Sequence, residues 1–324
     1  MRKVIGIGET VLDILFRNGQ PVSALPGGST YNAVISMARA GLPVTFIGEV
    51  GHDRVGDEIV GFLEKNGVDT RSVCRFQNTK SPISLAFLNE QNDAEYVFYK
   101  DHPHDRLDLI IPDIEADDVV LFGSYYAVNP VIRTQVKALL DAARACGAII
   151  YYDVNFRAAH AHEAKKLAPC FRENLEYADL VRGSHEDFAV LFQKEGADAV
   201  YDAEISSFCR HFIYTQGSRA VEVRGAGGFA KSYPVAEQAT VSTVGAGDNF
   251  NAGFIYGLMK YGVTHSDLVR GLSESQWDAL VGCACRFSAE CCKDIYNYVS
   301  ESFGHSLRQE GVRSGKESDG MGEK

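Results

Sequence analysis

The stretch STVGAGDNFNAGF, from Ser242 to Phe254, decides how this chain is read. Gly245, Ala246 and Gly247 carry almost no side chain and lead directly into a helical pattern. Such residues let backbone N–H groups approach an anion, and the start of a helix adds a partial positive charge there. Asp248 falls in the first helical turn. Its carboxylate is either a favourable helix-start charge or a base standing beside a bound phosphate. The second arrangement is what phosphoryl transfer to a hydroxyl requires. On its own the stretch leaves both readings open.

Upstream, short apolar runs alternate with amphipathic helical segments. Val4 to Gly8, Val44 to Val50, Val119 to Gly123, Ala148 to Tyr152, Ala178 to Val181 and Phe212 to Thr215 read as strands. Thr30 to Ala40, closed by Gly41 and Pro43, and Asp53 to Lys65 read as helices, as does the segment after Asn129-Pro130 to about Ala145. This alternation predicts an α/β fold of βαβ units around a mostly parallel central sheet. Ser81 to Lys100 breaks the rhythm with two β-like runs and no helix between them, the pattern of a small β lid. From 304 to 324 the chain is polar and rich in Gly and Ser, which predicts an unstructured tail after a single domain spanning 1–303.

The chain has 324 residues, with 32 basic and 43 acidic side chains and a net charge of −11. A nucleic-acid surface needs a basic stripe, and none is present. No run of about 18 uninterrupted apolar residues occurs, so no membrane span is expected. Glu9 and Asp13 interrupt the apolar start, which reads as a first strand rather than a signal peptide and points to a cytoplasmic product. The eight cysteines form no C-x-x-C pair; Cys283, Cys285, Cys291 and Cys292 read as thiols of a core helix.

Other glycine-rich sites are weaker. GIGETV at Gly6 to Val11 lacks the third glycine of a dinucleotide fingerprint, and GAGGFA at Gly225 to Ala230 sits in a hairpin. No G-x-x-x-x-G-K-[ST] loop exists. A helix begins after Pro26-Gly27-Gly28, with Asn32 one turn in, and Asp13 lies just beyond the first strand. DVNFR follows the apolar strand at Asp153 and places Asn155 and Arg157 at the same carboxyl edge, where α/β proteins bind ligands.

Taken together in their order, GETVLDI, PGGSTYNAVISMARAG, FIGEVGHDRVGDEIVGFLEKNGV, DVNFR, TQG and STVGAGDNFNAGF resemble the ribokinase-like (PfkB) family of carbohydrate kinases across nearly the whole ordered chain. The resemblance implies a three-layer α/β/α domain with lid segments near 12–26 and 81–101, and ATP-dependent transfer to a sugar hydroxyl. Asp248 matches the catalytic base, and Gly245, Ala246 and Gly247 match an anion hole. Asp13, Gly28 and Asn32 match sugar-binding positions, Lys100 a basic substrate contact and Arg157 an arginine near the phosphates or substrate; Asn155, on the same edge, is a further substrate-binding candidate. Thr215 and Gly217, with Gly247, match nucleotide contacts.

The chain also departs from the pattern. Ser29 stands where ribokinases carry lysine, which disfavours ribose as substrate. The family's N-x-x-E motif becomes Ser184 to Asp187, so Asp187, or its neighbour Glu186, is the expected water-mediated contact to Mg²⁺. Ser242 replaces an acidic residue near the family's monovalent-cation loop, so potassium activation does not follow from the resemblance. The expected acceptor is a primary hydroxyl of a monosaccharide, fructose first. A 2-keto-3-deoxygluconate or ribokinase-type kinase and a silent sugar or nucleotide sensor are the alternatives. The lid's apolar alternation also suits a homodimer.

Overall fold

The structure is a computed structural model that describes residues 2–88, 94–99 and 110–319. The strands are β1 (Val4–Ile7), β2 (Val11–Arg17), β3 (Gln20–Gly27), β4 (Val44–Gly51), β5 (Val73–Phe76), β6 (Ile83–Leu88), β7 (Ala94–Tyr99), β8 (Val119–Gly123), β9 (Ile149–Asp153), β10 (Leu180–Ser184), β11 (His211–Thr215), β12 (Ala220–Gly225) and β13 (Phe229–Pro234). The helices are α1 (Ser29–Arg39), α2 (Arg54–Lys65), α3 (Arg133–Cys146), α4 (Ala164–Tyr177), α5 (His185–Phe192), α6 (Ala197–Val200), α7 (Ala246–Lys260), α8 (His265–Arg270), α9 (Glu274–Cys291) and α10 (Glu301–Asp319).

Nine strands form one sheet in the order β13-β12-β11-β10-β9-β8-β1-β4-β5. From β5 to β11 all neighbours are parallel, whereas the β11–β12 and β12–β13 pairs are antiparallel. A parallel sheet must be covered on both faces, so its strands are apolar throughout. In β8 the four successive residues Val119, Val120, Leu121 and Phe122 are all buried but face opposite layers. Val119 and Leu121 join a core built with α1, α7 and α9, including Tyr31, Phe254 and Trp277. Val120 and Phe122 join a second core with α3, α4 and α5, including Leu139, Phe171 and Phe188. The result is the expected three-layer α/β/α arrangement.

A second sheet, in the order β3-β2-β6-β7, corresponds to the lid segments read from the sequence. Here β2 pairs antiparallel with β3 but parallel with β6, which ties the segment before α1 to the Ser81–Lys100 insertion. Lys100 itself lies outside the described residues. Val22, Phe87, Val97 and Tyr99 leave an apolar surface exposed on this sheet.

The carboxy-terminal segment differs from the sequence expectation. Residues 304–319 continue helix α10 rather than forming an unstructured tail. Leu307 is buried, and the Arg286 guanidinium pairs with Glu310 at 2.7 Å. Phe303 and Leu307 are one helical turn apart, so one narrow stripe docks while residues 305, 306 and 308–310 are exposed. A helix with so narrow a stripe has the composition of a disordered segment. Among the described residues, no helix is long and apolar enough to cross a membrane.

Candidate active site

The carboxyl ends of β9, β10 and β11, the starts of α1 and α7, and the lid strand β2 converge on one edge of the large sheet. The α7 start is pinned from several sides. Gly245 caps it at φ 79°, a left-handed conformation that suits glycine, and a Cβ there would lie 2.8 Å from the Asn297 carbonyl oxygen. The Asn249 side-chain amide donates to the carbonyls of Gly245 at 2.8 Å and Asn297 at 2.9 Å, while Ser36 Oγ donates to Asn249 Oδ1. The Ala246 N–H is used within the turn, donating to Thr243 O at 3.2 Å. That leaves the Gly247 and Asp248 N–H groups as the first-turn donors with no intrahelical acceptor. The expected contribution of Ala246 to an anion hole is therefore taken up by the turn itself.

Asp248 is buried beneath these amides. Ser29 Oγ donates to its Oδ1 at 2.8 Å, and Asn32 Nδ2 donates to its Oδ2 at 2.9 Å. Burial pushes the carboxyl pKa up. The Asn32 hydrogen bond, the charge of Arg157 and the Ser29 hydrogen bond oppose that rise, and Asp153 adds to it. A carboxylate raised in this way is a stronger proton acceptor and still carries two donors that orient it.

Ser29 and Asn32 reach Asp248 because α1 starts abruptly. Gly28 has φ 132°, and a Cβ at that position would strike the Glu9 carbonyl. Beside it, a Cβ on Gly27 would lie 2.8 Å from Asp13 Oδ2 and 3.7 Å from Asn32 Oδ1, so the two side chains flank the same bare backbone. Asn32 Oδ1 is buried with no hydrogen-bond partner, an acceptor that a ligand hydroxyl can satisfy. Asp13 Oδ1 accepts from Ser84 Oγ of the lid. Burial raises the Asp13 pKa to about 6, opposed by the Ser84 hydrogen bond and assisted by Glu9.

Arg182 lies outside the sequence motifs, although a charge inside the apolar run Leu180–Ser184 is itself a signal. The residue is 6% exposed, and its guanidinium donates from Nη1 to Asp153 Oδ1 at 3.1 Å and from Nη2 to Thr215 Oγ1 at 2.8 Å. A Cβ on Gly247 would lie 3.0 Å from both terminal nitrogens. A buried cation thus sits against the first turn of α7. Burial pulls its pKa down, but Asp153 and Asp187 outweigh that and hold it above the ordinary value.

The remaining expected residues are placed as follows. Asn155 is buried in the loop after β9, with a left-handed φ of 33°, and Arg157 is exposed at the site rim. Thr215 is buried and engaged by Arg182, and Gly217 turns the chain with φ 59°. Asp187 serves the helix that carries it. The Ser184 N–H donates to its Oδ2 at 2.6 Å, closing a capping box at the start of α5, while Glu186 is exposed. Among the described residues, no group of three or more His, Cys, Asp or Glu is set to hold a metal. A cavity of about 420 Å³ lined by Arg144, Asp179, Arg210 and His265 lies at the opposite end of β9–β11 and shares no residue with this site.

A family model described as pfkB family carbohydrate kinase matches residues 1–292. The chain belongs to this family. A 5-dehydro-2-deoxygluconokinase of Geobacillus kaustophilus is 31% identical over 251 residues, covering 72% of each chain. An Arabidopsis thaliana protein named Probable fructokinase-5 is 25% identical over 244 residues, covering 73% of this chain and 74% of its own length. Among solved structures, a Vibrio cholerae fructokinase with fructose, ADP and calcium bound superposes with a TM-score of 0.80 at 19% identity, covering 95% of this chain and 99% of that one. A Salmonella enterica aminoimidazole riboside kinase superposes with a TM-score of 0.78 at 20% identity, covering 95% and 99%. The pfkB family chain is accordingly a carbohydrate kinase with the ribokinase-like fold, and kinases of this family use ATP with Mg²⁺.

Proposed function

We propose that this kinase transfers the ATP γ-phosphoryl group to a primary hydroxyl of a small keto sugar, with Asp248 as the base. The observation that carries the proposal is the position of Asp248. It is buried, oriented by Ser29 and Asn32, and located in the same turn as the Gly247 and Asp248 N–H groups, which have no acceptor within the helix. Those amides suit negative charge on the transferring phosphoryl group, and Arg182 beneath them adds a fixed positive charge. Asp13 and the unpartnered Asn32 Oδ1 suit neighbouring hydroxyls of the acceptor. Asp248 accepts the proton of the attacking hydroxyl.

Mg²⁺ binds through phosphate oxygens and one or two carboxylates while keeping several waters, and it neutralises charge on the phosphate chain. The single carboxylates here suit that mode better than a closed protein cage. Glu186 is the exposed candidate, since Asp187 serves the α5 cap.

Fructose is the neutral acceptor in this reading, supported by the fructokinase relatives. A second reading, a deoxy keto sugar acid, is favoured by Arg157 at the rim and by the relatives named 5-dehydro-2-deoxygluconokinase. An acceptor carboxylate would pair with that guanidinium. The test is ADP release from ATP and Mg²⁺ with fructose, tagatose, ribose, adenosine, fructose phosphate, 2-keto-3-deoxygluconate and 5-dehydro-2-deoxygluconate. Stimulation by a ketose or keto acid is expected. Ligand binding with no stimulation by any acceptor would replace the kinase reading with a sensor. The exposed apolar residues of the lid support pairing of two copies through that sheet, which a single-copy mass in sedimentation would contradict.

A further inference from the structure

Both oxygens of the Asp248 carboxylate are occupied, but by groups of different kinds. Asn32 is buried at 5% exposure, and its amide holds Oδ2 from within α1. Ser29 is the first residue of that helix and only half buried, and it holds Oδ1 through a hydroxyl that turns away by rotation about a single bond. A general base must offer one oxygen to the incoming proton at about 2.6 to 3.2 Å. The Ser29 contact of 2.8 Å already has that geometry, with an O–H group in the donor position.

We propose that Ser29 is a positioning residue that occupies Oδ1 while the acceptor is absent and yields it to the acceptor's hydroxyl. Oδ1 is then the working oxygen of the base, and Oδ2 stays fixed by Asn32. The inference rests on the kinase reading above. It also assigns Ser29 a protective role: water must displace the same hydroxyl before Asp248 can take its proton. In that wasteful step the water oxygen forms a bond to the γ-phosphorus and the bond to the ADP oxygen breaks. The water proton passes to Asp248, and the products are ADP and inorganic phosphate.

The other groups facing Asp248 are Arg157 beyond β9, Asp153 at the end of β9 and the Cys291 thiol at the end of α9. Arg157 favours the carboxylate and Asp153 opposes it. None of them is a hydroxyl able to replace Ser29. Removing Ser29 takes away one donor to the carboxylate, so the acid limb of kcat/KM moves to higher pH.

The experiment compares wild type, Ser29→Ala and Ser29→Thr with ATP and Mg²⁺, with and without the best acceptor of the panel. Ser29→Ala is expected to raise acceptor-free ADP release at least about tenfold, the low-end value of one hydrogen bond to a charged group, and to move the acid limb upward. Ser29→Thr keeps the hydroxyl and is expected to restore slow hydrolysis and the original pH profile. Unchanged Tm separates these effects from unfolding. Acceptor-stimulated turnover in wild type, with Ser29→Ala unchanged in hydrolysis and in pH profile, overturns this inference alone. A wild type that no acceptor stimulates overturns the kinase reading and this inference with it.

Discussion

Replacing Arg182 by methionine keeps most of the side chain's volume and removes its charge, which isolates what the buried cation does. Arg182 is 6% exposed and Asp153 is 3% exposed, so neither is hydrated when the other is lost. Methionine leaves Asp153 without its 3.1 Å partner and Thr215 Oγ1 without its 2.8 Å donor. Truncating one member of a buried ion pair costs about 3–5 kcal/mol, because an uncompensated charge remains. At roughly 2 °C per kcal/mol for a chain of this size, Tm at pH 7 should fall by about 6–10 °C. Asp153 can escape by taking a proton, which burial already favours. With its pKa raised further in the variant, the loss is largest at high pH and shrinks as pH falls. The double variant D153N/R182M should recover most of the deficit, since an intact buried pair contributes little net stability. Calorimetry of wild type, R182M, D153N and D153N/R182M between pH 5 and 8 provides the measurement. A single variant within about 2 °C of wild type at pH 7, or a deficit that grows toward pH 5, would refute the assignment of Arg182 as a paired cation in the site.

Two further outcomes follow from buried groups elsewhere. Asp13 has its pKa held at about 6, so ionising it in the fold costs roughly 3 kcal/mol at pH 7; stability is full below 3.8 and falls as pH rises through about 6. Asp13→Asn should therefore raise Tm at pH 7.5 with no gain at pH 4, while raising the acceptor KM about 10-fold or more through loss of a charged acceptor; a lower Tm at pH 7.5 would contradict the burial argument. Leu307→Ala in α10 should cost about 2–5 kcal/mol and increase hydrogen exchange in α10 and α1, and an unchanged Tm and exchange pattern would show that the helix does not dock.

The sequence carried the fold well because its signals were repeated. Each inner strand is apolar on both faces, so β8, β9 and β11 stood out, and the glycine turns before α1 and α7 marked where backbone approaches backbone. The small sheet was legible as two β-like runs, but its parallel β2–β6 pairing was not, because that contact joins segments 71 residues apart, as between Asp13 and Ser84. Helix α3 begins at Arg133, after a short 3₁₀ turn at Tyr125–Val128, although Asn129-Pro130 reads as its start. Residues 304–319 read as a tail because the stripe they dock is so narrow, and residues 320–324 lie outside the described residues. In the site, Asp248 and Asn32 are identifiable from their motifs, whereas their hydrogen bond to each other and the one from Ser29 are not. Ser29 was visible only as a missing lysine, and its hydrogen bond depends on α1 and α7 meeting across 219 residues. Asp187 keeps the carboxylate of a familiar motif but spends one oxygen on its own helix cap, a use that spacing cannot distinguish from metal binding.

The central claim is that Asp248 takes the proton of the acceptor's hydroxyl, and Asp248→Asn tests it most directly because asparagine preserves size and can still accept from Ser29. Initial-rate kinetics should be measured with the best acceptor and saturating ATP and Mg²⁺, with ATP affinity read in parallel by calorimetry. The predicted result is a kcat at least about 100-fold below wild type with ATP affinity little changed, as expected for loss of a positioned base. A kcat near the wild-type value, with the variant folded and binding ATP, would contradict the assignment.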